Sequence, residues 1–580
     1  MATATISMSP VPRPPENELC NYLALSTIRT RPYLFKIVTP VSIDTFHELL
    51  ATHPNQDLVS SVVRSLREGF WPWAITGQPG YSVSCDYAVP LTDAAEIAFA
   101  REQCETEVRL GHFSQSFGTL LLPGMSSVRL GVVPKPHSDK FRLVHDHSAG
   151  IHSLNSMIPK EDGKVILDSL HNLGFILRRV RAKHGDVPLV VFKSDVSQAY
   201  RRLPMHPLWQ IRQTVLIDGE RRVNRCNDFG GRGSGRIWCT FFGLVLWIAI
   251  FVRLLEDLLG YVDDVFSWEF AANLEYYEPY GERYPAKQVG LLKLWDELGI
   301  PHEKPKQLWG SKLEIIGFEV DPNAMSVTMG VTARDDLIAA LRAFAVDGQR
   351  RTLREFQTIA GWVNWALNVY PLLRPGLSEL YEKTRGKSLP HAPIWVNKTM
   401  KMQLCWIADH IATSDGIYMM DSNTWGLDDA DVTVYTDASF LGMGIWFPGA
   451  HIGLQCGLEN AQVKGIFYYE ALSVLSALQY TLSHTDRPLA RIAILTDNSN
   501  TVDMFHSLRA QPLYNPLLSS AVDLLRHHNV QLRVIHVPGV QNVVADALSR
   551  FDNSAALDVD PSLTILPFIP PRLTLGATKL

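Results

Sequence analysis

The chain is poor in cysteine: seven in 580 residues, an odd number, at positions 20, 85, 104, 226, 239, 405 and 456. None forms a C-x-x-C pair, so neither a disulfide framework nor a zinc knuckle is expected. The expected setting is a reducing intracellular one, cytoplasmic and/or nuclear. Positive charge is not in excess either. The 54 Lys and Arg against 59 Asp and Glu leave a formal charge of −5. That excludes a chain that coats nucleic acid by bulk charge, while a local basic groove stays open. The N-terminal MATATISMSPVPRPP lacks the apolar core of a secretory signal. Long apolar runs are absent with one exception, IWCTFFGLVLWIAIFV at 237–252. It falls short of the roughly 18 residues of a spanning helix and runs straight into Arg253, Glu256 and Asp257. We read it as a helix buried in the fold and expect no membrane. No internal repeat is present.

What is there is the composition of a globular protein, 46% hydrophobic and 19% charged, with length for roughly three or four domains. Residues 1–44 and the Pro-rich tail 553–580 read as loose or disordered ends. Residues 41–75 look helical. GTLLLPG, SVRLGVVPKP and KFRLVHD, between about 117 and 146, read as strands, and a helix follows near 165–184. VPLVVFKSDV (187–196) is a continuous apolar strand with Asp195 at its end. EYYEPYGERYPAKQ (275–288) reads as a surface loop. KLEIIGFEVDPNAMSVTM (312–329) reads as two strands around an Asp-Pro-Asn turn. Residues 333–385 carry apolar residues at helical spacing, and a second α/β unit runs from VTVYTD (432–437) to DALSRF (546–551). The fold class is α/β, in the multidomain α+β sense.

Residues 260–266, GYVDDVF, set two adjacent carboxylates among strand-forming apolar neighbours. Like charges repel, and a buried unpaired charge costs several kcal/mol unless it neutralises. Adjacent strand residues face opposite sides, so Asp263 and Asp264 act together only if a hairpin turn falls between them. With Asp195 on a neighbouring strand, three carboxylates then converge on one sheet. Oxygen ligands of this kind suit Mg²⁺ or Mn²⁺, and two such ions about 3.5–4 Å apart clamp both oxygens of a phosphoryl transfer. Taken singly, Asp264 capping a turn and Asp195 as a solvated strand end are the simpler readings.

KSDVSQAYRRLPMHP and GYVDDVF resemble the two metal-binding motifs of reverse transcriptases. VVPKPHSDKFRLVHDHSAGIHSLN (132–155) is similar to the fingers motif of that family. FGGRGSGRIWCTFFG (229–243) stands where its template- and nucleotide-contacting loop belongs. HEKPKQLWGSKLEIIGFEV (302–320) resembles the basic segment and strand that follow. The resemblance implies that Asp195, Asp263 and Asp264 hold the polymerase metals, with the Val196 backbone completing the coordination. It implies triphosphate binding by Lys135 and Arg142, and a sugar gate at Tyr200. Read without the family, Tyr200 is a core tyrosine at a helix start. One departure stands out: Gly233-Ser234-Gly235-Arg236 replaces the usual Ser/Ala-Pro, which either lets backbone approach the base pair or reports a decayed copy.

Four further acids, Asp437, Glu470, Asp497 and Asp546, fall on four separate elements of the second α/β unit. Each can face inward, and together they form a second hard-cation site. Glu470 alone reads as a solvated helix residue. TDAS, YYEA, TDN and HVPGVQNVVADALSR resemble the Asp-Glu-Asp-Asp quartet of retrotransposon ribonuclease H domains. Val540 stands where retroviral relatives carry a histidine, and His536 is not promoted to that role.

The resemblance covers roughly residues 45–552. It implies a right-hand polymerase with palm and fingers at 45–330, a helical thumb and connection at 331–428, and a ribonuclease H-like domain at 429–552. LREFQTIAGWVNWALNVYPLLRP (353–375) is similar to the linker of the DIRS-like retroelements, whose integration enzyme is a tyrosine recombinase. The implied function is RNA- and DNA-directed DNA synthesis with hydrolysis of the RNA strand of the hybrid. The implied cofactors are two Mg²⁺ or Mn²⁺ ions per active site. The implied partners are an RNA template, a DNA primer, the RNA–DNA hybrid and deoxynucleoside triphosphates. The rival readings are a catalytically decayed nucleic-acid-binding protein of this fold and a nuclease only. HDHSAGIH (145–152) carries three histidines without a nearby cysteine, so a zinc site is not expected. Arg201, Arg202, Arg221, Arg222, Arg225, Arg232 and Arg236 are expected to line a groove for the template–primer backbone, and Trp71 and Trp73 to sit in the core.

Overall fold

The computed structural model describes residues 1–77, 84–134, 141–414, 425–458, 464–485 and 487–571. Lys135 lies outside the described residues, and so does its implied triphosphate contact. The chain divides into two compact units, Met1–Ile316 with Val320–Ala324, and Gly317–Glu319 with Met325–Leu580. The helical region 331–428 and the α/β region from 429 thus share one unit.

The apolar run forms the centre of the first unit. Helix Ser234–Trp247 continues into a π-helical turn, Ile248–Val252. A helix apolar on every side must be covered on every side, and Ile237 through Trp247 are all buried. Although 19 residues of this stretch are apolar enough to cross a membrane, 72% of that window is buried inside the unit. Trp238 stacks on Phe242 with ring centroids 4.9 Å apart, and Phe241 meets Phe46 at 5.3 Å. Each such buried aromatic contributes about 1.5–3 kcal/mol. Trp238 Nε1 donates to Val262 O at 2.7 Å, fixing the aspartate hairpin directly above the helix.

That hairpin belongs to a four-stranded antiparallel sheet. The order is His302–Gly310, Leu189–Val196, Asp264–Phe270, Leu259–Tyr261. The two central strands are buried along most of their length because the sheet is covered on both faces.

Several expectations are corrected. Residues 1–44 are not loose: Val11 and Leu34 are buried, Thr5 Oγ1 meets His53 Nε2 at 2.9 Å, and Glu18 pairs with Arg212 at 2.7 Å in the interior. Proline content misled, because prolines here separate short helices that dock individually. GTLLLPG is not a strand; Gly118 and Gly124 adopt φ of +108° and +77°, which interrupts extension. EYYEPYGERYPAKQ is no loop but a hairpin, Leu274–Tyr277 with Glu282–Pro285, leading into helix Ala286–Leu298. Its tyrosines alternate, Tyr277 and Tyr284 buried and Tyr276 exposed, the period-two signature of a half-buried hairpin.

The second unit joins helices Val331–Phe344, Leu353–Ala366, Ser378–Thr384 and Lys398–Ala412 to a six-stranded sheet. Strands Val432–Ala438, Arg491–Thr496 and Gln531–His536 are parallel; Gly442–Phe447 and Ile452–Gly457 extend the sheet antiparallel. A Cβ at Gly444 would lie 2.2 Å from Ala545 O, so glycine there lets helix Val543–Ser549 rest on the sheet. The tail is corrected as well. Helix Asn553–Val559 and strand Thr564–Pro567, paired parallel with Ile452–Gly457, complete this fold beyond residue 552.

Candidate active sites: two carboxylate clusters

In the first unit, Asp195 and Asp264 are direct cross-strand partners at the ends of Leu189–Val196 and Asp264–Phe270. Asp263 occupies the turn between paired residues Tyr261 and Asp264, as the hairpin reading required. Val262 beside it takes φ +58°, a left-handed conformation that costs a β-branched residue of order 1–3 kcal/mol and is held by surrounding structure. The Val196 backbone N–H donates to Asp263 O at 3.4 Å. Burial raises the Asp263 carboxyl above its ordinary value, and the Asp195 charge adds to it. Burial likewise pushes Asp264 up to about 6; Lys193 opposes this, while Asp263 and Asp195 reinforce it. Lys306 Nζ lies 3.0 Å from Asp195 Oδ1. Asp195 and Asp264 sit at the same end of the two central strands, with Asp263 in the adjoining turn.

Tyr200 follows strand Leu189–Val196 on a short 3₁₀ turn, Ala199–Arg202. It is half-buried. Its phenol is raised mainly by burial, with a contribution from the Asp263 charge. Its ring stacks on Phe229 at 4.4 Å and 24°, and Phe229 is itself 63% exposed. Arg142 lies exposed on strand Phe141–Asp146.

The Gly-rich loop owes its glycines to packing. A Cβ at Gly230 would lie 1.9 Å from His145 O, and one at Gly233 would lie 2.9 Å from Pro72 O. Asp228, buried beside the loop, accepts from Asn224 Nδ2 at 2.8 Å and from the Gly230 N–H at 3.1 Å. His147 Nε2 lies 3.2 Å from Asp228 Oδ2, and His145 Nδ1 lies 3.5 Å from the same oxygen. Burial disfavours the Asp228 charge, yet the two imidazoles outweigh it and hold the carboxyl well below its usual range. His145 is lowered to about 4 by burial. These histidines therefore fasten a loop.

The arginines expected to line a groove are mostly consumed inside the fold. Arg201 pairs with Glu107 at 2.6 Å and Arg221 with Asp86 at 2.6 Å. Arg225 donates to Leu34 O, Tyr33 O and Gly111 O. Arg202 Nε donates to Ser197 O, and Arg232 Nη1 to Ile158 O. Arg236 pairs with Asp162 at 2.6 Å and lies 4.1 Å above the Trp73 ring. Burying a guanidinium is tolerable only when it is well partnered, and the acids that pair with Arg201, Arg221 and Arg236 lie far away in sequence. Trp71 is a core residue; Trp73 is a platform for Arg236.

In the second unit Asp437 lies on strand Val432–Ala438, Glu470 on helix Ile466–Ser483, and Asp497 directly follows strand Arg491–Thr496. One oxygen from each lies within 4.8 Å of the others, the group among the described residues whose donors could hold a metal ion. Asp437 and Glu470 are buried; Asp497 is the more open. Burial, then the neighbouring charges of Asp437 and Asp497, pushes Glu470 up to about 9. Burial pushes Asp437 up to about 6, against the hydrogen bond from Ser549. Glu470 Oε2 is buried without a hydrogen-bond partner. Three hard oxygens with one orphaned fit a divalent cation. Asp546 stands apart from this trio, its Oδ1 2.7 Å from Arg550, yet close enough for its charge to raise Asp437. Ser549, whose Oγ donates to Asp437 Oδ2 at 2.6 Å, was not singled out from sequence. Its signal is its position three residues after Asp546 on one helix, hence on one face.

The raised acids carry a pH signature. Asp437 and Glu470 titrate near 6 and 9 when folded but near the ordinary carboxylate value of about 4 when unfolded. The folded chain therefore holds more protons between those limits, and its stability falls as pH rises through them. A divalent cation binds the ionised form and offsets that loss. Mg²⁺ is expected to raise the unfolding temperature more at pH 8 than at pH 5, measured by calorimetry on the full chain. An equal rise at both would show that these acids do not hold the ion.

No family model and no curated protein matches the sequence. Among solved structures, the chain is similar to a foamy viral protease–reverse transcriptase dRH in complex with double-stranded DNA, at 13% identity and a TM-score of 0.42, covering 88% of this chain and 85% of that one. It is similar at the same identity and TM-score to the foamy viral protease–reverse transcriptase in complex with RNA/DNA hybrid (88% and 65% covered) and with double-stranded DNA (87% and 98% covered).

Proposed function

We propose that the chain is a retroelement reverse transcriptase, an RNA- and DNA-directed DNA polymerase with ribonuclease H, similar in its linking segment 353–375 to the DIRS-like group. The observation that carries this reading is that each of the two compact units presents its own set of acids, among which Asp263 and Asp264 in the first and Asp437 and Glu470 in the second are raised by burial and by neighbouring carboxylates. Perturbed acids gathered in this way mark sites of chemistry. Asp437, Glu470 and Asp497 would hold Mg²⁺ or Mn²⁺ in the second unit; Asp195, Asp263 and Asp264, with the Val196 carbonyl, would do so in the first. The bound cations would supply Lewis-acid stabilisation of phosphoryl transfer.

The chain's own groups set the geometry. Ser549 orients Asp437 through its hydrogen bond, and Arg550 holds Asp546 to one side. The Asp228 anchor fixes the loop bearing Phe229, and Phe229 holds the Tyr200 ring by stacking. An incoming deoxynucleoside triphosphate would meet Arg142 and Lys135 at its phosphates and Tyr200 at its sugar. Tyr200→Ala is expected to admit ribonucleotides at least tenfold more readily while deoxynucleotide incorporation persists, scored by primer extension with each substrate. Unchanged discrimination would return Tyr200 to a core role.

A second reading, a nuclease-only protein with a decayed polymerase unit, is favoured by one contact: Lys306 occupies Asp195 Oδ1. Extension of a labelled DNA primer on an RNA template with Mg²⁺, run beside RNA cleavage on the same hybrid, decides between them. Both activities support the proposal; cleavage alone supports the second reading; neither leaves only a nucleic-acid-binding protein.

A further inference from the structure

A groove of about 580 Å³ in the second unit runs between the segment Arg374–Arg385 and the loop 508–515. Arg374, Arg385 and Arg509 line it, against one acid, Glu382, which pairs with Arg385 at 3.0 Å. Among the described residues, Arg374 and Arg509 make no ion pair. The contrast with the first unit is sharp, since Arg201, Arg212 and Arg221 are each spent on a carboxylate. Three arginines facing one concavity against a single carboxylate leave positive charge in excess there, and an anion relieves that cost.

The groove is preformed. Leu508 takes φ +51° to turn the chain out of helix Ser499–Ser507. Ser378 Oγ donates to Ala510 O at 3.3 Å, and Asn515 Nδ2 donates to Pro375 O at 2.9 Å. These bonds tie both walls together. The loop is also fixed to the acid site: the Tyr514 ring lies 4.6 Å from Phe467, one helical turn before Glu470.

We propose that this groove binds the phosphodiester backbone of a nucleic-acid duplex and seats it beside the second carboxylate set. Arginine forks match phosphate oxygens and carry no base information, so the contact is independent of sequence. The proposal rests on the ribonuclease H reading for its choice of duplex, an RNA–DNA hybrid.

The test is binding of a labelled RNA–DNA hybrid by fluorescence anisotropy across a KCl series, using the full chain carrying Asp497→Asn so that the hybrid stays intact. Adding Arg374→Glu and Arg509→Glu is expected to weaken binding at least tenfold and flatten the log–log salt slope by about 1.8, roughly 0.9 per lost phosphate contact. Arg509→Glu alone, at an exposed position, should flatten it by about 0.9, which guards against misfolding of the double variant. A slope unchanged in both, with the hybrid still bound, overturns the groove and leaves the functional reading standing. Loss of polyglutamate binding with hybrid binding intact would also overturn it, assigning the groove to an acidic protein segment. Failure of the Asp497→Asn chain itself to bind any hybrid would overturn the functional reading.

Discussion

Asp263→Asn is expected to cut primer extension by on the order of 10²–10³-fold or more, while RNA cleavage by the same preparation stays within about twofold. The lower bound is what removing one preorganised electrostatic contact to a transition state costs, about 2.7–4 kcal/mol. Asparagine keeps the size of the side chain, and the turn is held through backbone contacts, Val196 N–H to Asp263 O and Trp238 Nε1 to Val262 O. Stability should move the other way. Asp263 is raised by burial and by the Asp195 charge, so a neutral side chain relieves repulsion and the unfolding temperature should hold or rise. Activity lost while stability holds is the mark of an acid kept for chemistry. If Asp263→Asn extends primers at the parental rate, this hairpin does not carry polymerase chemistry.

Asp195, Asp264 and Asp497 stand out in sequence because each borders an apolar strand, where local pattern and chemistry coincide. The hairpin that sets Asp263 beside Asp264 follows from GYVDDVF, since strand period and hairpin geometry are local rules; the pairing of Asp195 with Asp264, 69 positions on, is not local, and only the family resemblance pointed to it. The supporting groups were not legible. Lys306 reaches Asp195 across 111 positions and Ser549 reaches Asp437 across 112. No local rule links such pairs. The arginines misled for the same reason. Arg201 and Arg221 look like a basic stripe in sequence, but Glu107 and Asp86, 94 and 135 positions away, draw them inward. Residues 1–44 misled through composition: prolines suggested disorder, while Val11 and Leu34 carry the burial that orders the segment.

The glycines of 229–235 show how a departure from a family pattern can be structural. Gly230 and Gly233 admit the His145 carbonyl and Pro72, and Asp228 fastens the same loop through His147. That leaves activity to be decided at the acids rather than at the loop.

Asp497→Asn is expected to abolish cleavage of the RNA strand, by on the order of 10²–10³-fold or more, and to leave primer extension near the parental level. Asp497 is the most open of its trio, so the substitution removes a charge with little change in packing. Its negative charge helps raise both Glu470 and Asp437. With that charge gone, both acids should ionise at lower pH, and the fall in stability with rising pH should lessen. Mg²⁺ should also stabilise the variant less at pH 8, because one of three cation ligands is missing. The two results are measured separately: cleavage on a labelled hybrid, and unfolding temperature with and without Mg²⁺. The mirror image of Asp263→Asn, each variant losing one activity and keeping the other, is the outcome that two independent acid sites require. If Asp497→Asn loses both activities while its unfolding temperature is unchanged, the two sets act as one site and the division of labour proposed here fails.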